Sequence, residues 1–188
     1  MSGHDDTKTE YTCRCPSPLG GITLSSDGES LTGLWFDGQK FFGEGLPPGL
    51  EERELEVFDL ARRWLGIYFD GREPDFTPPL RFSGTPFRER VWRRLQEIPY
   101  GETVSYGELA KELAACGAMA GVSAQAVGGA VGHNPISLIV PCHRVVGAAG
   151  ELTGYAAGIE RKIKLLTLEG VKLPGLPRLQ AAATPAIM

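Results

Sequence analysis

Period-two alternation governs the first third of the chain. Tyr11–Cys15, Ile22-Thr23-Leu24 and Leu31-Thr32-Gly33-Leu34-Trp35-Phe36 read as short extended segments, parted by Pro16-Ser17-Pro18-Leu19-Gly20-Gly21 and by Asp27-Gly28. Asp-Gly between apolar alternations is a strong hairpin signal, because both residues tolerate the positive φ that a tight turn needs. The polar residues 1–10 are expected to be frayed. Residues 37–50 hold several Gly and two Pro and read as loop. Then the period changes. Leu55, Phe58, Leu65 and Tyr68 share one stripe, which predicts a helix from Glu51 to Phe69, stopped by Asp70-Gly71.

A Pro-rich connection over 71–84 separates two halves, placing an N-terminal domain at 11–80 and a second at 81–173, with a loose tail over 174–188. Thr85-Pro86 supplies an N-cap and a proline at the first helical position. Phe87, Val91, Trp92, Leu95 and Ile98 mark the buried stripe that follows, ending at Pro99. Ser105-Tyr106-Gly107-Glu108 is a capping box opening a short helix through Leu113. A Gly- and Ala-rich turn, 116–122, leads to Ser123–Gly132, a helix of small residues. That pairing fits a helix-turn-helix whose second helix can approach DNA closely; it also fits two ordinary packed helices. Asn134-Pro135 breaks the helix, and Ile136-Ser137-Leu138-Ile139-Val140 predicts a buried strand. Ile159–Glu169 is a last helix, closed by Gly170.

The composition is that of a globular protein: 188 residues, 42% apolar and 22% charged, with no apolar run near the ~18 residues of a membrane span. Neither a basic n-region nor an apolar h-region opens the chain, and four cysteines show no framework, so a cytoplasmic protein is expected. Charge is uneven. Residues 1–80 hold 7 Lys+Arg against 15 Asp+Glu, while 81–170 hold 10 against 8. The second half therefore permits DNA binding without requiring it. Cys13 and Cys15 resemble half a zinc site, but with His4, His133 and His143 the only histidines no second pair completes it, and no metal is expected. Cys116, in the small-residue turn, is expected to be inert.

Cys142 ends the apolar segment and is followed by His143. A lone Cys is most often a small buried hydrophobe, and burial makes it inert. A neighbouring His can take its proton, but adjacent residues of a straight strand face opposite ways, so the pair would need a tight turn or a water.

Pro141-Cys142-His143-Arg144-Val145 after Asn134-Pro135-Ile136-Ser137 resembles the active-site signature of the O6-alkylguanine-DNA alkyltransferases. Thr85-Pro86-Phe87, Val91-Trp92, Ile98-Pro99-Tyr100-Gly101, Ser105–Ala110, Ala126-Val127-Gly128, Thr153-Gly154-Tyr155 and Leu165–Gly170 follow in family order. The resemblance is strong over about residues 83–172 and weaker before, where it rests on Ser17-Pro18-Leu19-Gly20. It implies an α/β protein, a ribonuclease H-like strand-plus-helix domain before a helical domain with helix-turn-helix and active site. It implies self-inactivating repair of alkylated double-stranded DNA by a monomer without cofactor. The alkyl group passes from O6 of guanine, and less well from O4 of thymine, to the protein's own cysteine, from a base turned out of the stack.

By the same resemblance Cys142 is the nucleophile, His143 relays its proton through a water and Glu169 orients the imidazole. Tyr106 crowds the 3′ phosphate and donates toward the base, and Asn134 is the hinge after the DNA helix. Ser123, Gln125, Ala126 and Arg144 join Tyr106 in contacting DNA. Val131, Pro135, Val145, Tyr155 and Ala156 form the substrate pocket, with the carbonyls of Cys142 and Val145 receiving the guanine amino group. Two departures stand out: Gln125 replaces the intercalating arginine, and the turn between Leu113 and Ser123 is longer than usual. Both bear on DNA affinity and base flipping rather than on the transfer itself. A lesion-binding protein that repairs nothing, or a transcription factor, would leave the cysteine signature unexplained.

Overall fold

The computed structural model describes residues 9–115, 121–172 and 176. Three of its strands are those that the alternation predicts: β1 (Tyr11–Cys15), β2 (Ile22–Ser26) and β3 (Leu31–Phe36), paired antiparallel in sequence. The hairpin at Asp27-Gly28 closes through Asp27 Oδ1, which accepts from the N–H groups of Glu29 and Ser30 at 3.1 and 2.9 Å. Gly28 sits at φ +104°, a conformation that side chains rarely adopt. Fraying does not reach Glu10, which is buried and accepts from the Thr32 hydroxyl at 2.8 Å.

The predicted helix from Glu51 starts five residues late. Glu51–Glu52 instead form β4, parallel to β1, giving the sheet order β3-β2-β1-β4. The open edge of β1 offers ladder bonds, and Glu51 and Arg53 donate to the carbonyls of Glu10 and Thr12. Residues 51–54 are all charged, so a helix there would have buried nothing. Helix α1 (Glu56–Phe69) buries Val57, Phe58, Ala61, Trp64, Leu65 and Tyr68. Each large apolar side chain so removed from water contributes about 1.5–3 kcal/mol.

In the second half, α2 (Pro86–Leu95) is capped by Thr85 Oγ1, and Val91, Trp92 and Leu95 are buried. After β5 (Val104–Ser105), the capping box closes α3 (Tyr106–Ala115): Ser105 Oγ accepts from the Glu108 N–H, and the Glu108 carboxylate accepts from the Ser105 N–H. Helix α4 (Ala124–Gly132) begins at Ser123, whose hydroxyl accepts from the Ala126 N–H at 3.1 Å. Trp92 Nε1 donates to the Ala130 carbonyl at 2.8 Å and pins α2 to α4. Cys116 and most of the turn before α4 lie outside the described residues.

Ile136–Val140 is not a strand. Ile136 makes a single bridge to Leu34, and the chain then turns, with Leu138 at φ +70°. The run is buried all the same, so its apolar character reports burial without reporting backbone shape. Asn134 replaces the ladder, its Oδ1 accepting from the Ile136 N–H at 3.0 Å and its Nδ2 donating to the Val140 carbonyl at 2.8 Å. A 3₁₀ turn over Cys142–Arg144 follows, then β6 (Val145–Val146), parallel to β5, and α5 (Ile159–Leu168).

Both halves share one continuous core. The outer edge of β3 joins them: Leu31 bonds to residues 79 and 81, while Leu34 accepts from the Ser137 N–H at 2.9 Å and donates to the Pro135 carbonyl at 2.8 Å. The N-terminal sheet thereby holds the segment that leads into Cys142. No helix among the described residues is long and apolar enough to cross a membrane.

Candidate active site

Cys142 opens the 3₁₀ turn and is only 4% exposed. The turn, rather than a strand end, sets the directions of the thiol and the neighbouring imidazole. Cys142 Sγ accepts from Asn134 Nδ2 at 3.1 Å. Burial pushes the thiol up, while the Asn134 bond and the Lys162 ammonium pull the other way. Lys162 is itself buried, donating to the carbonyls of Val145 and Thr153; desolvation brings it down to about 8, against the pull of Cys142.

The carboxylate of Glu169 is the hub behind His143. It accepts from His143 Nε2 at 2.7 Å, the Tyr68 hydroxyl at 2.7 Å, Arg144 Nε at 2.8 Å and Nη2 at 3.0 Å, and the Gly101 N–H at 3.2 Å. Burial works against its charge, but the bonds and charges of His143 and Arg144 outweigh this and hold it well below the usual carboxylate range. An ionised carboxylate only accepts, so Nε2 carries the proton and Nδ1 has the lone pair. Burial lowers the imidazole pKa despite Glu169. The resting pair is thus a neutral thiol and a neutral base. His143 Nδ1 is buried without a hydrogen-bond partner among the described residues. Such orphans are few in folded proteins and need a reason.

Above the thiol lies a cavity of about 240 Å³, lined by Cys142, Tyr106, Val131, Tyr155 and Ala156, the glycines at 128, 132 and 154, and Lys40 and Phe41. Tyr106 opens α3 and packs its ring against Gly128 of α4. Burial raises its hydroxyl pKa, with a Thr153 hydrogen bond opposing. It therefore stays protonated and able to donate. Ser123, Gln125 and Ala126 are exposed on the first turn of α4.

Three sequence-based assignments need correcting. Arg144 does not face DNA: it is buried, with its guanidinium spent on Glu169 and the Ile98 carbonyl. Its charge is needed inside, because a buried carboxylate without a cation is costly. Pro135 lines a different cavity, and Val145 points into the core with its carbonyl taken by Lys162. Cys13 and Cys15 are buried on the same face, and Cys13 Sγ accepts from Arg62 Nη2 at 2.8 Å; among the described residues no cluster of three metal-ligating side chains occurs.

The residues missed are Tyr68, Lys162, Lys40 and Phe41. Tyr68 carried one signal: a phenol on an otherwise apolar stripe needs a partner once buried. Lys162 carried the same signal on α5. Loop residues 40 and 41 carried none, since their role depends on where β3 delivers them.

Fold and site together define a strand-and-helix domain joined to a helix-turn-helix domain that buries a cysteine beside a histidine–carboxylate pair. The chain belongs to the 6-O-methylguanine DNA methyltransferase family. The family's ribonuclease-like domain matches residues 11–82, and its DNA binding domain matches residues 86–171. A methylated-DNA–protein-cysteine methyltransferase of Mycolicibacterium paratuberculosis is 48% identical over 153 residues, 81% of this chain and 88% of that protein. One from Methanosarcina acetivorans is 47% identical, covering 82% of this chain and 94% of the relative. The crystal structure of Mycobacterium tuberculosis OGT in complex with DNA superposes with a TM-score of 0.72 at 44% identity, over 86% of this chain and 92% of that one.

Proposed function

We propose that Cys142 accepts an alkyl group from O6 of guanine in double-stranded DNA, once per molecule, and so reverses the damage directly. The observation that carries this is the buried thiol on the wall of a small cavity, with the lone pair of His143 Nδ1 unused and Glu169 behind Nε2. The cavity takes a base turned out of the duplex, since O6 is closed to in-line attack inside it. Nδ1 takes the thiol proton through a water as the C–S bond forms and the C–O6 bond breaks. The imidazolium is stabilised by Glu169, and the thiolate by Asn134 and Lys162. The Tyr106 hydroxyl gives its proton to the departing guanine, which leaves neutral, and the proton held by His143 returns to the Tyr106 oxygen through water, so that the thiol proton ends in effect on guanine. Glu169 orients, Arg144 and Tyr68 orient Glu169, and no step releases the alkyl group.

The first turn of α4, with Ser123, Gln125 and Ala126, faces the DNA in this reading. Every group named lies on one chain, so a monomer suffices. Chemistry that begins from a free thiol suits a reducing compartment such as the cytoplasm.

Intact mass after incubation with an O6-methylguanine duplex should rise by one methyl, roughly 14 Da, located on Cys142. Cys142→Ala should abolish the gain yet keep most of the affinity for that duplex, because contacts to the backbone hold DNA while the thiolate makes the bond. Methyl transfer persisting in this variant, on Cys13, Cys15 or Cys116, would refute the assignment.

A further inference from the structure

The loop leaving β3 places an aromatic ring where the transfer machinery has no evident use for it. Phe41 sits at φ +58°, in the left-handed region that bulky residues rarely enter. Its ring stacks on the imidazole of His133, with centroids 3.8 Å apart and planes at 29°. His133 in turn is tied by Nδ1 to Glu44 Oε2 at 2.7 Å, and Glu44 Oε1 accepts from Arg88 Nη1 at 3.1 Å. The Lys40 N–H donates to the carbonyl of Ala156, a pocket residue, at 3.0 Å. Strained backbone persists only where its surroundings over-determine it, and here two domains do so together.

The ring borders two spaces. One is the cavity of about 240 Å³ that contains Cys142; the other, about 250 Å³, lies beside Trp92, His133 and Pro135. Among the described residues, Phe41 is the one common to both linings. We propose that Phe41 is the specificity-determining residue of the alkyl pocket, a partition whose position fixes how large an alkyl group can be presented to Cys142. This rests on the alkyl-transfer reading and adds to it which side chain limits the substrate. A methyl group needs none of the space behind the ring. A benzyl group does, and its entry requires the ring to leave His133 or to be cut away. Apolar pockets discriminate by the room they offer, and one methylene more or less in the substrate is worth about ten- to two-hundredfold there.

The test is single-turnover transfer from O6-methylguanine and O6-benzylguanine placed in the same duplex, for the natural chain, Phe41→Ala and Phe41→Trp. The quantity read is the ratio of benzyl to methyl rate. It should rise more than about threefold in Phe41→Ala and fall more than about threefold in Phe41→Trp. Any other pair of ratios overturns the proposal. Phe41 is 47% exposed on a loop, so folding should survive; were Phe41→Ala to melt below the assay temperature, Phe41→Leu carries the same expected rise. The two readings fail separately. Absence of both transfers in the natural chain defeats alkyl transfer itself, whereas transfer to Cys142 with an unmoved ratio defeats only the role of Phe41.

Discussion

Glu169 stands where a carboxylate is least welcome, at the C-terminal cap of α5, with the negative end of the helix dipole beside it. Five N–H and O–H donors keep it there. Glu169→Gln puts an amide NH₂ among those donors, so one end of the new side chain must face groups that can only donate. We expect transfer to slow by as much as about 10⁴-fold, the scale seen when an amide replaces the carboxylate that fixes the tautomer of a general-base imidazole. The pH at which the rate rises should move upward, because the imidazolium formed as Cys142 ionises has lost its counter-charge. An unchanged rate and pH profile would remove Glu169 from the network. The same variant alters acid stability in a defined direction. A carboxyl held low in the fold adds stability that is complete above its unfolded value, about 4.3, and is lost as pH falls through the folded one. Glu169→Gln should therefore flatten the loss of stability below about pH 4.5, read by urea midpoints from pH 3 to 7.

At the scale of elements, legibility followed locality. The caps of α2 and α3 were plain in Thr85, Ser105 and Glu108, since a capping bond spans three residues. β4 and the turn at 136–140 were not, because each is decided by a partner far along the chain: β1 for the first, Leu34 and the Asn134 side chain for the second. Arg144 was misplaced for the same reason, its carboxylate lying 25 residues on. Cys142 and His143 were legible through the company of their motif rather than through any period. Helix α4 carries a prediction of its own. Gln125 is exposed in its first turn, where side chains of a recognition helix reach the base stack. Gln125→Arg should fill and stack in the gap left by a flipped base, tighten lesion binding and steepen the log–log salt dependence by up to about 0.9 if one phosphate is neutralised. Binding to a lesion duplex at three salt concentrations checks it. Equal affinity with the same slope would mean that residue 125 stays outside the duplex.

At the scale of the molecule, the N-terminal domain is part of the site rather than a neighbour of it. Tyr68 reaches Glu169 across 101 residues of sequence, Leu34 holds the segment leading to Cys142, and Phe41 closes one wall of the cavity. Nothing in the composition of residues 1–80, acidic as they are, announces this. The function was legible from the second half alone, while the support for it was distributed over both.

The hydrogen bond from Asn134 to Cys142 Sγ has a further consequence. The same amide fastens Val140, so one side chain serves both the resting thiol and the backbone turn beneath it. A methyl arriving from the cavity turns the thiol into a thioether and takes up one lone-pair direction of the sulfur, weakening its bond to that amide, and a buried donor left unsatisfied costs about 1–3 kcal/mol. For a chain of this size the alkylated protein should melt about 3–10 °C lower than the fresh one, measurable by calorimetry on the two forms side by side. Identical melting temperatures would show that the turn absorbs the methyl without strain. With the predicted shift, repair leaves a physical record in the repairer: spent molecules open more often, meet proteases sooner, and the stock of usable protein sorts itself from the exhausted fraction without any separate device to tell them apart.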